Sequence, residues 1–382
     1  MTVYHQMGHD ASNLLAEDAL SMYRGAILSP VNDTMDKVCQ LIRDHQKDDF
    51  EMILDPQLYF PKSERGKLSG WDHFPQDVDT ADYSSMHWWR MVNDKLCETA
   101  AKLDTLSAVC SPAVVPKAFL DEYYDLNIQV ANDLQDKLKN SKVQVIQSLV
   151  VGLDDLSRSD RAPTIASIAS KNGPDRVYLV MLSTQPPRRE LEDSQSLMGA
   201  MRLIRHLEKA GISVLAGFSS SDLILWKAAG ASACATGKYF NLRRFTPSRF
   251  SSPQEEKGLG QLPHWFEEAL MAFLREGDLI RLRELDLLSQ ASMANPYALQ
   301  ILDSLDNSPG TPWLGTSWRQ FLFWFGDFEQ RLSDGTIAPD EILRNAETTW
   351  TQLEDDGFLM EDMRNRMTWL RPWRIAVGEW CR

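Results

Sequence analysis

Residues 212–250, ISVLAGFSSSDLILWKAAGASACATGKYFNLRRFTPSRF, contain two short apolar runs separated by an amphipathic segment. The order is that of a strand, a glycine-containing loop, a helix, a second strand and a loop with four cations, Lys238, Arg243, Arg244 and Arg249. In parallel α/β proteins, the loops that follow the carboxyl ends of strands hold the chemistry. The stretch therefore predicts a parallel α/β fold with an anion site in its last loop, and a phosphorylated substrate.

The same alternation of apolar runs and helical periodicity extends over the first 250 residues. Strands are predicted at 25–28, 50–54, 106–109, 143–151, 176–182, 212–217 and 231–235, and helices at 35–45, 86–103, 118–138, 192–210 and 221–229. Strands that alternate with helices in this number favour a closed (β/α)8 barrel of the TIM type over a doubly wound sheet. An eighth strand would lie before Gly25 or after Phe250, or would not exist.

The chain changes character after residue 251. Helical spacing predicts helices at 264–276, 279–293, 318–332 and 339–355, and a last helix from about residue 361. Seven of the twelve tryptophans lie between Trp313 and Trp380, which is typical of a densely packed aromatic core. We therefore expect a catalytic α/β barrel over residues 1–250 and a helical region, packed on the barrel, over residues 251–382.

Composition restricts the possible partners. The net charge of −14 opposes general attraction to nucleic acid, although residues 238–249 carry cations and no acid and could form a local basic cleft. The five cysteines have neither disulfide nor metal-ligand spacing, so no metal or cofactor is predicted. Without a membrane-spanning run or a secretory signal, the sequence predicts a cytoplasmic protein with no membrane partner.

Two of the predicted strands end in residues suited to catalysis. Asn32 and Asp33 follow the strand at 25–28, and Asp55, Gln57 and Tyr59 follow the strand at 50–54. A carboxylate at a barrel mouth can act as a nucleophile, or as a general acid or base. The structural alternative is that Asp55 only begins a turn before proline and that Asp33 only caps the following helix.

These segments resemble a known enzyme family. ILSPVNDTMDKV at 27–38 and ILDPQLYFP at 53–61 resemble the first two strand motifs of the tRNA-guanine transglycosylase barrels, and residues 215–244 are similar to the segment that leads into their arginine-rich loop. The resemblance covers about half of the chain, discontinuously. It implies a TIM barrel that accepts a base turned out of the nucleic-acid stack and breaks or remakes an N-glycosidic bond.

The chain departs from this family at important positions. Cys234 to Gly237 stand where the family has its aspartate nucleophile, Cys110 to Pro112 stand where it has its other active-site aspartate, and its zinc-binding cysteines are missing. The resemblance therefore points to a relative that acts on DNA rather than tRNA, such as a glycosylase that excises modified bases from phage DNA. In that case the carboxylate chemistry would have moved to Asp33 and Asp55.

Roles for the other candidates follow from this hypothesis. Lys238, Arg243 and Arg244 would bind flanking phosphates, while Asn32, Gln57, Tyr59 and Asn241 would bind the extruded base or a sugar attached to it. The long polar loop at 61–83 is expected to face the substrate, with Trp71, Trp88 or Trp89 stacking on the base. The cations are expected to be solvated, so that replacing Arg243 and Arg244 would leave the fold intact.

Two other classes of function stay open. A lyase or phosphodiesterase acting on a small sugar phosphate would use the same basic loop, because late-strand phosphate sites are common in this fold. A non-catalytic interaction protein would use the tryptophan-rich region as its docking surface. The sequence leaves the oligomeric state open.

Overall fold

Eight parallel strands close into one barrel, which confirms the predicted TIM-type fold. The computed structural model describes residues 2–45, 49–63, 66–250, 261–307, 313–361 and 366–380, except for the Arg249 side chain. Neighbouring strands pair in chain order and the last pairs with the first. The strands are β1 Val3–Gln6, β2 Gly25–Leu28, β3 Glu51–Leu54, β4 Ala108–Cys110, β5 Gln144–Gly152, β6 Arg176–Leu182, β7 Ser213–Ala216 and β8 Ala233–Thr236.

The strand that sequence patterning left unplaced is β1, in the segment before Gly25. It pairs with β2 through Gln6 and Ile27, and with β8 through His5 and Thr236. All four of its residues are buried although two of them are polar. A strand of four residues with this composition has neither an apolar run nor an alternating pattern, so only the closure of the barrel identifies it.

Helices connect the strands on the outside of the barrel. They are α1 Met35–Asp44, α2 Met86–Lys102, α3 Asp121–Leu138, α4 Leu153–Leu156, α5 Arg161–Ala169, α6 Ser194–Lys209 and α7 Leu223–Ala228. Thr34 caps α1 and Asp193 caps α6 through their side-chain oxygens. Helix α5 was not predicted, because its segment RAPTIASIA contains a proline. Pro163 lies in the first turn, where proline does not interrupt helical hydrogen bonds.

The C-terminal region begins with a β-hairpin, and the helix predicted at 264–276 is wrong. Strands β9 Trp265–Glu267 and β10 Ala272–Leu274 are antiparallel. The Gln320 side chain accepts a hydrogen bond from the Phe266 backbone N–H and donates one to its carbonyl, and Met271 turns the chain at a φ of 51°. These partners are distant in sequence, so the local helical spacing was overridden by tertiary contacts.

The described remainder of the C-terminal region is mainly helical, as expected. The single helix predicted at 279–293 is wrong, because residues 285–289 separate two shorter helices; the helix at 298–307 was not predicted, and the last helix begins at Leu370 rather than near residue 361. Its helices are α8 Glu276–Glu284, α9 Gln290–Met293, α10 Ala298–Asn307, α11 Leu314–Ser333, α12 Pro339–Asp355 and α13 Leu370–Gly378. Within the described ranges, no helix combines the length and apolarity needed to cross a bilayer.

This region packs on the barrel through buried polar contacts as well as apolar ones. The Tyr23 hydroxyl donates to the Leu322 carbonyl over 2.9 Å, and the Trp373 indole donates to the Leu191 carbonyl over 2.8 Å. One buried apolar cluster contains residues from both parts of the chain. The proposed boundary at residue 250 stays a prediction, because residues 251–260 lie outside the described part of the chain.

Candidate functional site at the carboxyl ends of strands two and three

Asp55 lies at the carboxyl end of β3, and its side chain follows the inward-facing Ile53 by two residues, so both point to the barrel interior. It is only 1% exposed. One carboxylate oxygen accepts the Gln57 backbone N–H over 3.0 Å, and the Tyr59 hydroxyl lies 3.1 Å from both oxygens. Burial raises the pKa of Tyr59 well above its usual value, so the phenol stays protonated and donates to Asp55.

Gln57 joins the loops after β2 and β3. Its side-chain oxygen accepts the Ser29 hydroxyl over 2.9 Å and the Val31 backbone N–H over 3.1 Å, and the Asn32 amide donates to Ser29 over 2.7 Å. Its φ of 56° lets the chain turn back immediately after Pro56. The structure therefore brings the predicted residues Asn32, Asp55 and Gln57 into one hydrogen-bonded network, to which it adds Ser29.

Asp33 lies on the adjoining loop, with a carboxylate that forms a 2.6 Å ion pair with Lys37 in the first turn of α1. Its backbone N–H donates to the Ser29 carbonyl, and its own carbonyl accepts the Trp71 indole N–H over 2.9 Å. Asp33 and Asp55 are thus connected through Ser29 and Gln57. No direct hydrogen bond joins the two acids in the described residues.

The described part of the long loop at 61–83 packs over these strand ends. Trp71 is 2% exposed, and His73, 1% exposed, places its Nε2 atom 3.2 Å from the Pro56 carbonyl. Burial lowers the pKa of His73 to about 4, so the neutral imidazole donates to that carbonyl. Trp88 and Trp89 are also buried. All three rings are packed within the protein in this structure, and the expectation that one of them stacks on a substrate stays a prediction.

An aromatic layer lies over the Asp55–Tyr59 pair. The Tyr59 ring centroid is 5.0 Å from that of Phe245 and 6.3 Å from that of Phe250, and Phe218 lies 5.0 Å from Phe245. The segment after β8 is held there by a parallel bridge between Phe245 and Leu182. A substrate that reaches Asp55 must pass beside these rings or displace them.

Three of the four cations after β8 are buried, which contradicts the expectation that they are solvated. Lys238, Arg243 and Arg244 are 2%, 3% and 3% exposed. Arg243 donates to the carbonyls of Gly237 and Lys238, and its guanidinium carbon lies 3.6 Å from the ring centroid of Phe321 in α11. Burial lowers its pKa to about 9. Arg243 thus lies between the barrel and the C-terminal region, and its proposed contact with a phosphate stays a prediction.

Arg244 contacts two acids through one of its nitrogens, while its Nε and Nη1 atoms have no hydrogen-bond partner among the described residues. Its guanidinium lies 3.4 Å from Glu190 and 3.5 Å from Asp222. Burial raises the pKa of Glu190 to about 7, although Arg244 opposes the shift. The Ser221 hydroxyl donates to Glu190, so the loop with three serines at 219–221 contacts the cluster formed by Arg244, Glu190 and Asp222. Of the other candidates in this region, Asn241 is half-buried and the Arg249 side chain lies outside the described atoms.

We expect Arg243→Ala to lower the free energy of unfolding by about 3 kcal/mol, because it leaves two buried carbonyls without a donor and a void beside Phe321. Chemical denaturation followed by circular dichroism measures the effect. The matched control is Arg158→Ala, since Arg158 is 59% exposed in its ion pair with Asp155 and should change stability by less than about 0.5 kcal/mol. Equal stabilities of the two variants would contradict the structural role of Arg243.

A second polar region lies at the opposite end of the barrel. A cavity of about 900 Å³ is lined there by residues that include Arg24, Glu51 and Ser107, all at the amino ends of strands. Glu51 accepts hydrogen bonds from Tyr4, Arg24 and Arg176. Burial raises the pKa of Tyr4 to about 12. In this fold the amino-end face is associated with stability, whereas catalysis occurs at the other end, where Asp55 lies.

Comparisons with known proteins do not assign a family. No family model matches the chain, and no curated protein matches it. Solved structures that resemble it include a putative deoxyribose-phosphate aldolase from Coccidioides immitis (12% identity, 62% of this chain and 80% of that chain, TM-score 0.39) and an O-GlcNAc hydrolase mutant from Thermobaculum terrenum (10% identity, 100% and 93%, TM-score 0.38). Such distant likenesses say nothing about function, and the transglycosylase resemblance stays a hypothesis.

Proposed function

We propose that this chain is an enzyme that cleaves, or exchanges a base at, the N-glycosidic bond of a base in nucleic acid, with modified DNA as its substrate. The observation that supports this most directly is the placement of Asp55. It is an inward-facing carboxylate at the carboxyl end of a barrel strand, and both of its oxygens are oriented by neighbouring groups. A pre-oriented carboxylate can stabilise developing positive charge without reorganising during the reaction.

The chemistry requires a carboxylate close to the sugar. When the bond between C1′ and the base breaks, positive charge develops on the sugar, and Asp55 would stabilise this charge or attack C1′. Tyr59 donates to Asp55, so we assign it the role of positioning this carboxylate rather than of binding the base. Asp33, on the adjoining loop, is our candidate for the second acid or base, which acts on the water or on the leaving base.

The remaining polar groups of the network would bind the base. Asn32 is half-buried, and its amide and the side chain of Gln57 lie on the same loops as the two carboxylates. Asn241, in the loop after β8, is the third candidate for a contact with the base. A base reaches these groups only when it leaves the helical stack, which is how enzymes that act on bases in DNA gain access to them.

The proposal is tested by incubating the purified protein with DNA that carries modified bases and with unmodified DNA of the same sequence. Released bases are measured by mass spectrometry, and abasic sites are measured by cleavage of the strand in alkali. We expect base release from modified DNA. Release from free nucleosides but not from DNA would move the substrate to small molecules, and no release from any substrate would contradict the proposal.

A further inference from the structure

A cavity of about 260 Å³ lies at the carboxyl-end rim of the barrel, bordered by the loops after β1 and β8 and by α11. Its walls contain two acids, two cations and two aromatic rings: Asp10, Glu17, Lys238, Arg319, Tyr239 and Trp318. Nothing in the proposed cleavage reaction uses this cavity. Its charges, however, are not all paired.

Lys238 is buried, and its ammonium has a backbone carbonyl rather than a carboxylate as its hydrogen-bond partner. Its Nζ atom donates to the Asp10 carbonyl over 2.9 Å, and it forms no ion pair with a carboxylate of the described residues. The nearby acids have other partners, since the Asp10 carboxylate lies 2.9 Å from His9 and Glu17 accepts from Arg319 over 2.8 Å. An unpaired buried charge is costly, so an anion bound here would be stabilised strongly.

The electrostatics of the cavity also favour a bound anion. Burial lowers the pKa of Lys238. The negative charge of Asp10 opposes this shift, and the positive charges of Arg319 and Lys37, each with a weaker effect than Asp10, add to it. A bound anion would stabilise the charged form of Lys238. Lys37 is also the partner of Asp33, so the cavity lies near the proposed catalytic loops.

Trp318 supplies a second unused donor. Its indole N–H is buried and has no hydrogen-bond partner within the described residues. The Lys238 Nζ atom lies 4.7 Å from the Trp318 ring centroid and 4.8 Å from that of Tyr239. Because the ammonium already contacts both rings, they are poor platforms for a stacked base.

We propose that this cavity binds a phosphate group, with Lys238 as its main charge partner and the Trp318 indole as a second donor. The oxygens of a tetrahedral phosphate point in several directions and can accept from both groups at once. The volume exceeds that of the ion alone and leaves room for an attached sugar. The assignment of this phosphate to a nucleotide that flanks the target base rests on the proposed function.

The test observes Trp318 directly. Protein labelled with 5-fluorotryptophan is titrated with inorganic phosphate, a 5′-mononucleotide and a short single-stranded oligonucleotide, and with sodium chloride at matched ionic strength. The Trp318 fluorine resonance is assigned with Trp318→Phe. We expect a saturable shift with each phosphate ligand and none with chloride, and a loss of affinity of at least about tenfold in Lys238→Met.

The matched control is Lys209→Met, because Lys209 is exposed at the end of α6 and should bind all ligands as the wild type does. Lys238→Met removes an unpaired charge and keeps the alkyl chain, so its Tm without phosphate should be unchanged or higher. Phosphate should raise the wild-type Tm and leave that of Lys238→Met unchanged. A lower Tm of the variant with no effect of phosphate on the wild type would instead assign Lys238 a purely structural role.

The outcomes separate this inference from the proposed function. A saturable shift without base release supports the phosphate cavity and contradicts the glycosidic activity. Base release without a phosphate-dependent shift supports the glycosidic activity and contradicts the phosphate cavity. A response to phosphate and mononucleotide but not to the oligonucleotide supports the cavity and overturns its assignment to a polynucleotide strand. A resonance that no phosphate ligand moves, or wild-type affinity in Lys238→Met, overturns the inference.

Discussion

Asp55→Asn is expected to lower the rate of base release about a thousandfold, because it removes the negative charge that opposes the positive charge on the sugar. The amide keeps the shape of the carboxylate, and its oxygen can still accept the Gln57 N–H, so the fold should be preserved. Single-turnover base release is the measurement, with circular dichroism as the check on folding.

Two further variants provide a matched control and a test of the residue that orients Asp55. Asp154→Asn is the matched control, since Asp154 also follows a barrel strand but is exposed in the first turn of α4. Tyr59→Phe removes the hydroxyl that orients Asp55, so we expect a smaller loss, of about tenfold to a hundredfold. A folded Asp55→Asn variant with activity comparable to that of Asp154→Asn would remove Asp55 from the mechanism.

The free energy of unfolding is expected to fall by about 3 kcal/mol between about pH 6.5 and pH 5.0. Burial lowers the pKa of His5 to about 3, and those of His73 and His264 to about 4. These histidines are neutral in the folded protein and bind protons only when it unfolds. Each therefore contributes stability above its ordinary pKa of 6.5, and this stability is lost as the pH falls toward the folded value.

Buried carboxyls partly oppose this dependence. The pKa of Glu190 is raised to about 7, so this group is protonated in the folded protein below that pH and favours folding as the pH falls. Burial also raises the pKa values of Asp222 and Glu267, which act in the same direction nearer to pH 5. A net uptake of fewer than two protons on unfolding gives a slope of roughly 2 kcal/mol per pH unit.

Urea denaturation at several pH values measures the slope. His73→Gln should reduce it by about 1 kcal/mol per pH unit, because one titrating group is removed and the glutamine amide can still donate to Pro56. His87→Gln, at an exposed position, should leave it unchanged. A stability that does not vary between these pH values, or equal slopes for the two variants, would contradict the assignment.

The barrel itself was predictable because its signals are local. Seven strands lie in short, mostly apolar runs between segments of helical spacing, and both patterns are read from residues close to each other in the chain. The eighth strand was not predictable, because two of the four residues of β1 are polar and are buried only once β2 and β8 pair with it. The hairpin at β9 and β10 likewise depends on Gln320, far away in the sequence.

The features of the candidate site can likewise be separated into those that the local sequence predicts and those that depend on distant parts of the chain. The sequence by itself determined which strand ends carry polar residues. Asp33 follows β2 along the chain and Asp55 and Gln57 follow β3, and consecutive parallel strands place these residues on neighbouring loops. Only the tertiary structure decided what those residues and the later cations contact. Arg243 and Arg244 are surrounded by Phe321, Glu190 and Asp222, which come from separate elements, and the burial of a charge is a property of all its neighbours in space rather than of its own segment.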